Sequence, residues 1–197
     1  MQRRHTRWPC PRHGHHHHVR PGGIPPCRNG GLTILVAGVR LSTFIPTACD
    51  EQHAAADSFN REGVEALYLS LDEVTALREY QQASPFLPPC TMCSYSATIR
   101  GLVDLRQLHR GAPWDELWHD WREDWRHLKF EMHIEPPTWV LADMVLAAGH
   151  TGILFPSLTN DRGLNIVVYV DQLKDGNSVQ VNDPDRRLPR DQSSWSG

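Results

Sequence analysis

The chain has 197 residues, 40% hydrophobic and 22% charged, enough for one globular domain to bury a core without metals or disulfides. Its formal net charge of -3 hides an asymmetry: residues 1–30 hold six arginines and no acid, so the remainder carries -9, a balance that argues against a nucleic-acid-binding domain. No run reaches the ~18–20 apolar residues that span a bilayer, no apolar stretch follows the N-terminal arginines, and five cysteines without a framework point to reduced thiols in a cytoplasmic protein.

Residues 1–30, rich in Arg, His, Pro and Gly, show no hydrophobic period and read as a disordered extension; the domain then runs from Leu32 to Gly197. Leu32 to Val39 is strand-like, as is Val64 to Ser70. Ser70 and Glu73 have capping-box spacing, which predicts a helix from there to about Gln82. This turn sets Tyr68 near the strand end and Glu79 about two turns into the helix. Tyr95 to Leu105 is a further strand candidate. From Pro113 the pattern turns helical, with Trp114, Leu117, Trp118, Trp121, Trp125 and Leu128 at three- and four-residue steps on one face. Another helix is expected from Pro137 to Ala148, stopped by Gly149. Gly152 to Phe155, Leu164 to Val170 and Val179 to Val181 read as strands, with Asp175-Gly176 as a hairpin turn between the last two. The order predicts a single α+β domain with strands at both ends and helices between.

Taken one by one, the chemistry-bearing residues have plain readings. Glu79 is a solvated helix carboxylate, Tyr68 a half-buried strand tyrosine, Ser157 a turn residue and Arg40 a surface charge. Cys90 and Cys93 have zinc-knuckle spacing but no second ligand pair nearby, and the His15–His18 run lies in the extension, so no metal is expected. Phosphate-binding glycine loops and the nucleophile elbow are absent from the sequence.

Read together, the blocks containing Ala66-Leu-Tyr-Leu-Ser70 and Gly152-Ile-Leu-Phe-Pro-Ser157 resemble the RES domain, the toxin half of a bacterial toxin–antitoxin pair, over roughly residues 32–197. The resemblance implies a fold like that of ADP-ribosyltransferase toxins and NAD as substrate, with no metal. It implies that Glu79 stabilises and orients the reacting ribose, that Tyr68 stacks on nicotinamide, that Ser157 hydrogen-bonds the substrate and that Arg40 grips phosphate. It also implies a cognate Xre-like antitoxin that blocks the pocket and carries any DNA contact. The reaction expected is cleavage of the nicotinamide–ribose bond with transfer of ADP-ribose to a protein, water or phosphate. One position departs from the family: Ser58 stands where a second Arg precedes Phe59-Asn60, with Arg61 as a nearby substitute. That departure favours the alternative, an attenuated protein with the same fold that acts as an interaction partner.

Overall fold

A computed structural model describes residues 32–41, 57–82, 86, 90–108, 114–174 and 176–186. Seven strands form one sheet: β1 (Leu32–Leu41), β2 (Ala66–Ser70), β3 (Cys90–Ile99), β4 (Leu102–Asp104), β5 (Gly152–Pro156), β6 (Leu164–Tyr169) and β7 (Ser178–Val181). Their spatial order is β4-β5-β6-β2-β1-β3-β7, with every neighbouring pair antiparallel except β4 and β5. Among the described residues, two α-helices, α1 (Glu73–Gln81) and α2 (Pro137–Ala147), accompany the sheet in an α+β domain. The extension at residues 1–30 lies outside the described residues. Among those described, no helix is long and apolar enough to cross a membrane.

The two faces of the sheet bury different sets of residues, as the period of two requires. Val103, Ile153, Phe155, Val167 and Tyr169 point to one face and pack against Trp118, Trp121, Leu141 and Val145. Leu69, Ile99, Leu154, Ile166 and Val168 gather on the other. β5 and β6 are apolar on both faces because they sit inside the sheet. Asn165 is the exception in β6, a buried polar residue within Leu-Asn-Ile-Val-Val-Tyr.

Four expectations change in detail. The cap of α1 is Asp72, whose carboxylate accepts from Thr75 N at 2.8 Å and from Thr75 Oγ1 at 2.6 Å. Those bonds hold the Asp72 carboxyl below its ordinary range. Ser70 is still in the strand, and its hydroxyl turns to Asn165 instead. The expected strand from Tyr95 to Leu105 starts earlier, at Cys90, and Gly101 (φ +76) breaks it from β4.

The Trp-rich stretch is not a regular α-helix. Glu116–Arg122 winds as a 3₁₀ helix and His127–Glu131 as a π turn closed by Met132 N to His127 O at 3.0 Å. With three residues per turn, Trp118 and Trp121 stack on one side, and both are buried. Asp124 then restarts the chain by accepting from the amides of Arg126 and His127.

The hairpin between β6 and β7 does not form. β6 is already flanked by β2 and β5, so it has no free edge, and β7 crosses to pair with β3 at the far side of the sheet. Helix α2 ends as expected, with Gly149 in the left-handed region (φ +74).

Candidate active site

The C-terminal ends of β2 and β5 and the start of β6 meet at one end of the sheet. Ser70 pairs with Asn165, and Asn165 pairs with Phe155, so the three form one row. Ala37 of β1 extends that row beyond Ser70. Helix α1 leaves β2 at this end and brings Glu79 over the row. Glu79 Oε1 accepts from Ser157 Oγ at 2.6 Å and from Asn165 Nδ2 at 2.7 Å. These bonds join two parts of the chain 78 and 86 residues apart. Among the described residues, the other carboxylate oxygen, Oε2, takes no hydrogen bond.

Ser157 has its hydrogen-bonding capacity filled. Its Oγ accepts from the amides of Thr159 (3.1 Å) and Asn160 (2.9 Å), which leaves its proton for Glu79. Ser157 therefore holds the carboxylate and closes its own loop.

The loop after Ser157 is clamped onto α1. Asn160 Nδ2 donates to Thr75 Oγ1 at 2.7 Å, Arg78 Nη1 donates to Asn160 Oδ1 at 3.0 Å, and Ser157 N donates to Gly163 O at 2.9 Å. A Cβ at Gly163 would strike Thr75 Oγ1 and lie 2.7 Å from Thr75 Cγ2. Thr75 is fully buried and bonded on both sides, so it cannot yield. Gly163→Ala is therefore expected to cost about 1–3 kcal/mol through overpacking, read as a fall in the urea midpoint at unchanged slope. An unchanged midpoint would mean that the loop and helix are not rigidly joined.

Tyr68 anchors a second segment. Its hydroxyl donates to Asn60 Oδ1 at 2.9 Å and accepts from Phe59 N at 2.8 Å. Burial, with the Asp57 charge adding to it, raises the phenol well above its ordinary value. The hydroxyl thus pins the turn at residues 57–60 as a neutral group, and only part of the ring is open. Tyr169 Oη donates to Phe59 O at 3.0 Å, and Phe59 packs on Phe155 with ring centroids 4.9 Å apart. Together they give the site a rigid apolar floor.

The remaining expected residues sit around this frame. Ser58 lies in the pinned turn, its amide donating to Asp57 Oδ1 at 2.7 Å. Arg61 is committed elsewhere: it donates to Asp143 Oδ2 at 2.8 Å, pairs with Glu135 and lies over the Trp139 ring at 5.6 Å. It ties the turn to α2 and its preceding loop. Arg40 is opposite Thr91 in β1, three residues past Ala37, and its side chain lies outside the described residues.

Three participants escaped the sequence reading. Asp57 lies in the turn at residues 57–60: burial raises its carboxyl, Ser58 N and Arg126 oppose that, and the Glu79 charge adds to the rise. Ser70 was expected as a cap. Asn165 carried the one available signal, a lone amide in an apolar strand, since a buried polar group needs partners.

A family model described as the RES domain matches residues 41–191. The search of curated proteins found no match. Among solved structures, a chain from the crystal structure of the M. tuberculosis MbcT–MbcA toxin–antitoxin complex is similar, with a TM-score of 0.50 and 13% identity. The likeness covers 78% of this chain and 83% of that one.

Proposed function

The chain belongs to the RES domain family, and we propose that it is an NAD-consuming toxin that works through Glu79. The observation that carries this reading is the carboxylate of Glu79, whose Oε1 is held by Ser157 and Asn165 while Oε2 takes no hydrogen bond among the described residues. The bond broken is the one between nicotinamide and ribose. Its electron pair leaves with nicotinamide, which departs neutral, and positive charge develops on the ribose. A fixed carboxylate beside that carbon lowers the barrier because it is oriented before the charge appears. The acceptor oxygen, from a protein, phosphate or water, then forms the new bond at that carbon. Its proton passes to Glu79 Oε2 or to solvent.

The other residues have supporting parts in this reading. Ser157 sets the carboxylate, Tyr68 offers its open ring face to nicotinamide while its hydroxyl keeps the 57–60 turn in place, and Arg40 grips phosphate. NAD is the substrate and no metal is called for. The partner is an Xre-like antitoxin that covers the Glu79 end of the sheet in the cytoplasm. The structural likeness to a chain from a toxin–antitoxin complex supports such a partner. Incubating the protein with labelled NAD and cell lysate tests the reading. Label on a protein band identifies transfer to protein, label only in small molecules identifies hydrolysis or phosphorolysis, and intact NAD rejects the proposal.

A second reading, an attenuated interaction protein, draws on Ser58 and on the committed guanidinium of Arg61. Ser58→Arg separates the two. A new charge-assisted bond to phosphate contributes roughly 1.5–3 kcal/mol where water is partly excluded, so KM for NAD should fall at least tenfold. Arg61→Ala should leave KM unchanged, because Arg61 is engaged by Glu135 and Asp143. A rise in KM on Arg61→Ala would instead make Arg61 the phosphate ligand. No NAD turnover in either the natural chain or Ser58→Arg would favour the interaction protein.

A further inference from the structure

We infer that Asn165, with its amide orientation set by Ser70, is a positioning residue for Glu79. This rests on the reading of Glu79 as the group that meets the ribose.

The hydrogen-bond directions follow from what each group can do. An ionised carboxylate only accepts, so the Asn165 amide must face Glu79 with its nitrogen. Its oxygen then faces Ser70, and the Ser70 hydroxyl must donate, which it does at 2.7 Å. Ser70 and Asn165 are 5% and 6% exposed, so little water competes for these bonds. They are direct cross-strand partners, which places both side chains on one face at a distance set by the ladder. The carboxylate is therefore tied to the middle of the sheet through Asn165 and to the β5–β6 loop through Ser157. Both ties end on Oε1. Two donors on one oxygen fix the plane and rotamer of the carboxylate and leave Oε2 with no hydrogen bond among the described residues. A carboxylate held only by Ser157 would turn about that single bond.

A buried polar pair within apolar strands does not serve stability well, because replacing both partners by apolar groups of similar shape is often neutral or stabilising. The Ser70→Ala/Asn165→Leu double variant uses this. We expect its thermal midpoint to fall only slightly, for the one donor that Glu79 loses, KM for NAD to change less than twofold, and kcat to fall on the order of 10²-fold, the usual effect of a small misplacement of a reacting group. In a Glu79→Gln background the same pair should cause no further loss, because a residue acting only through the Glu79 carboxylate has nothing left to position. A purely structural role would instead lower the thermal midpoint markedly and reduce activity in both backgrounds. If the double variant does not fold, Ser70→Ala alone, which frees the amide to rotate, should lower kcat in the same direction.

Wild-type kcat in a folded Ser70→Ala/Asn165→Leu protein overturns the inference and leaves the role of Glu79 standing. No NAD turnover by the natural chain, or full turnover by Glu79→Gln, overturns the role of Glu79 itself. In that case the crystal structure of Asn165→Leu still decides the positioning claim. Glu79 displaced from Ser157 or disordered supports it, and an unmoved carboxylate rejects it.

Discussion

Glu79→Gln is expected to fold as well as the natural chain and to lose NAD cleavage by ~10²–10³-fold, the usual cost of removing one preorganised electrostatic group. The structure makes this a clean substitution. The carbonyl oxygen of Gln can take the place of Oε1 and accept from both Ser157 and Asn165, so the hydrogen bonds that fix the side chain survive. What disappears is the negative charge, and an amide nitrogen stands where Oε2 was. The loss should appear in kcat with little change in KM, because the charge acts on the ribose only as it becomes cationic. Growth inhibition in cells should vanish with it. Full turnover by the Gln variant would remove Glu79 from the reaction.

Ser157→Ala is the second large effect, and its signature differs. Here the charge remains but loses one of its two donors, and the amides of Thr159 and Asn160 lose their acceptor. Turnover should fall on the order of 10²-fold through misplacement of the carboxylate. Stability should fall too, by about 1–3 kcal/mol, since each intramolecular hydrogen bond contributes ~0.5–1.5 kcal/mol net. Chemical denaturation measures that second loss independently of NAD. A variant that loses stability but keeps its turnover would confine Ser157 to the loop. One that loses turnover at unchanged stability, with KM raised, would restore direct contact with the substrate.

The apolar periodicities and turn residues were enough to place most elements, because they depend on local spacing. The Gly149 stop, the helix after Ser70 and the strands of Leu164 to Tyr169 and Gly152 to Pro156 all follow from patterns of fewer than a dozen residues. The blocks around Glu79 and Ser157 were likewise visible as a resemblance. Three things were decided only by the assembled sheet. The pairing of β7 with β3 depends on which edges are left open, which is a property of seven strands at once. The winding of the Trp-rich stretch, 3₁₀ over Glu116–Arg122 and π over His127–Glu131, is not visible in its three- and four-residue spacing, which a regular α-helix fits equally well. The surroundings of Glu79 belong to the same class. Its donors come from residues 78 and 86 positions away, and hydrogen bonds of a few ångströms leave no trace in local spacing. Ser70 shows the limit most plainly: its spacing to Glu73 fits a helix cap, yet the strand register turns its hydroxyl to Asn165, and Asp72 caps the helix instead.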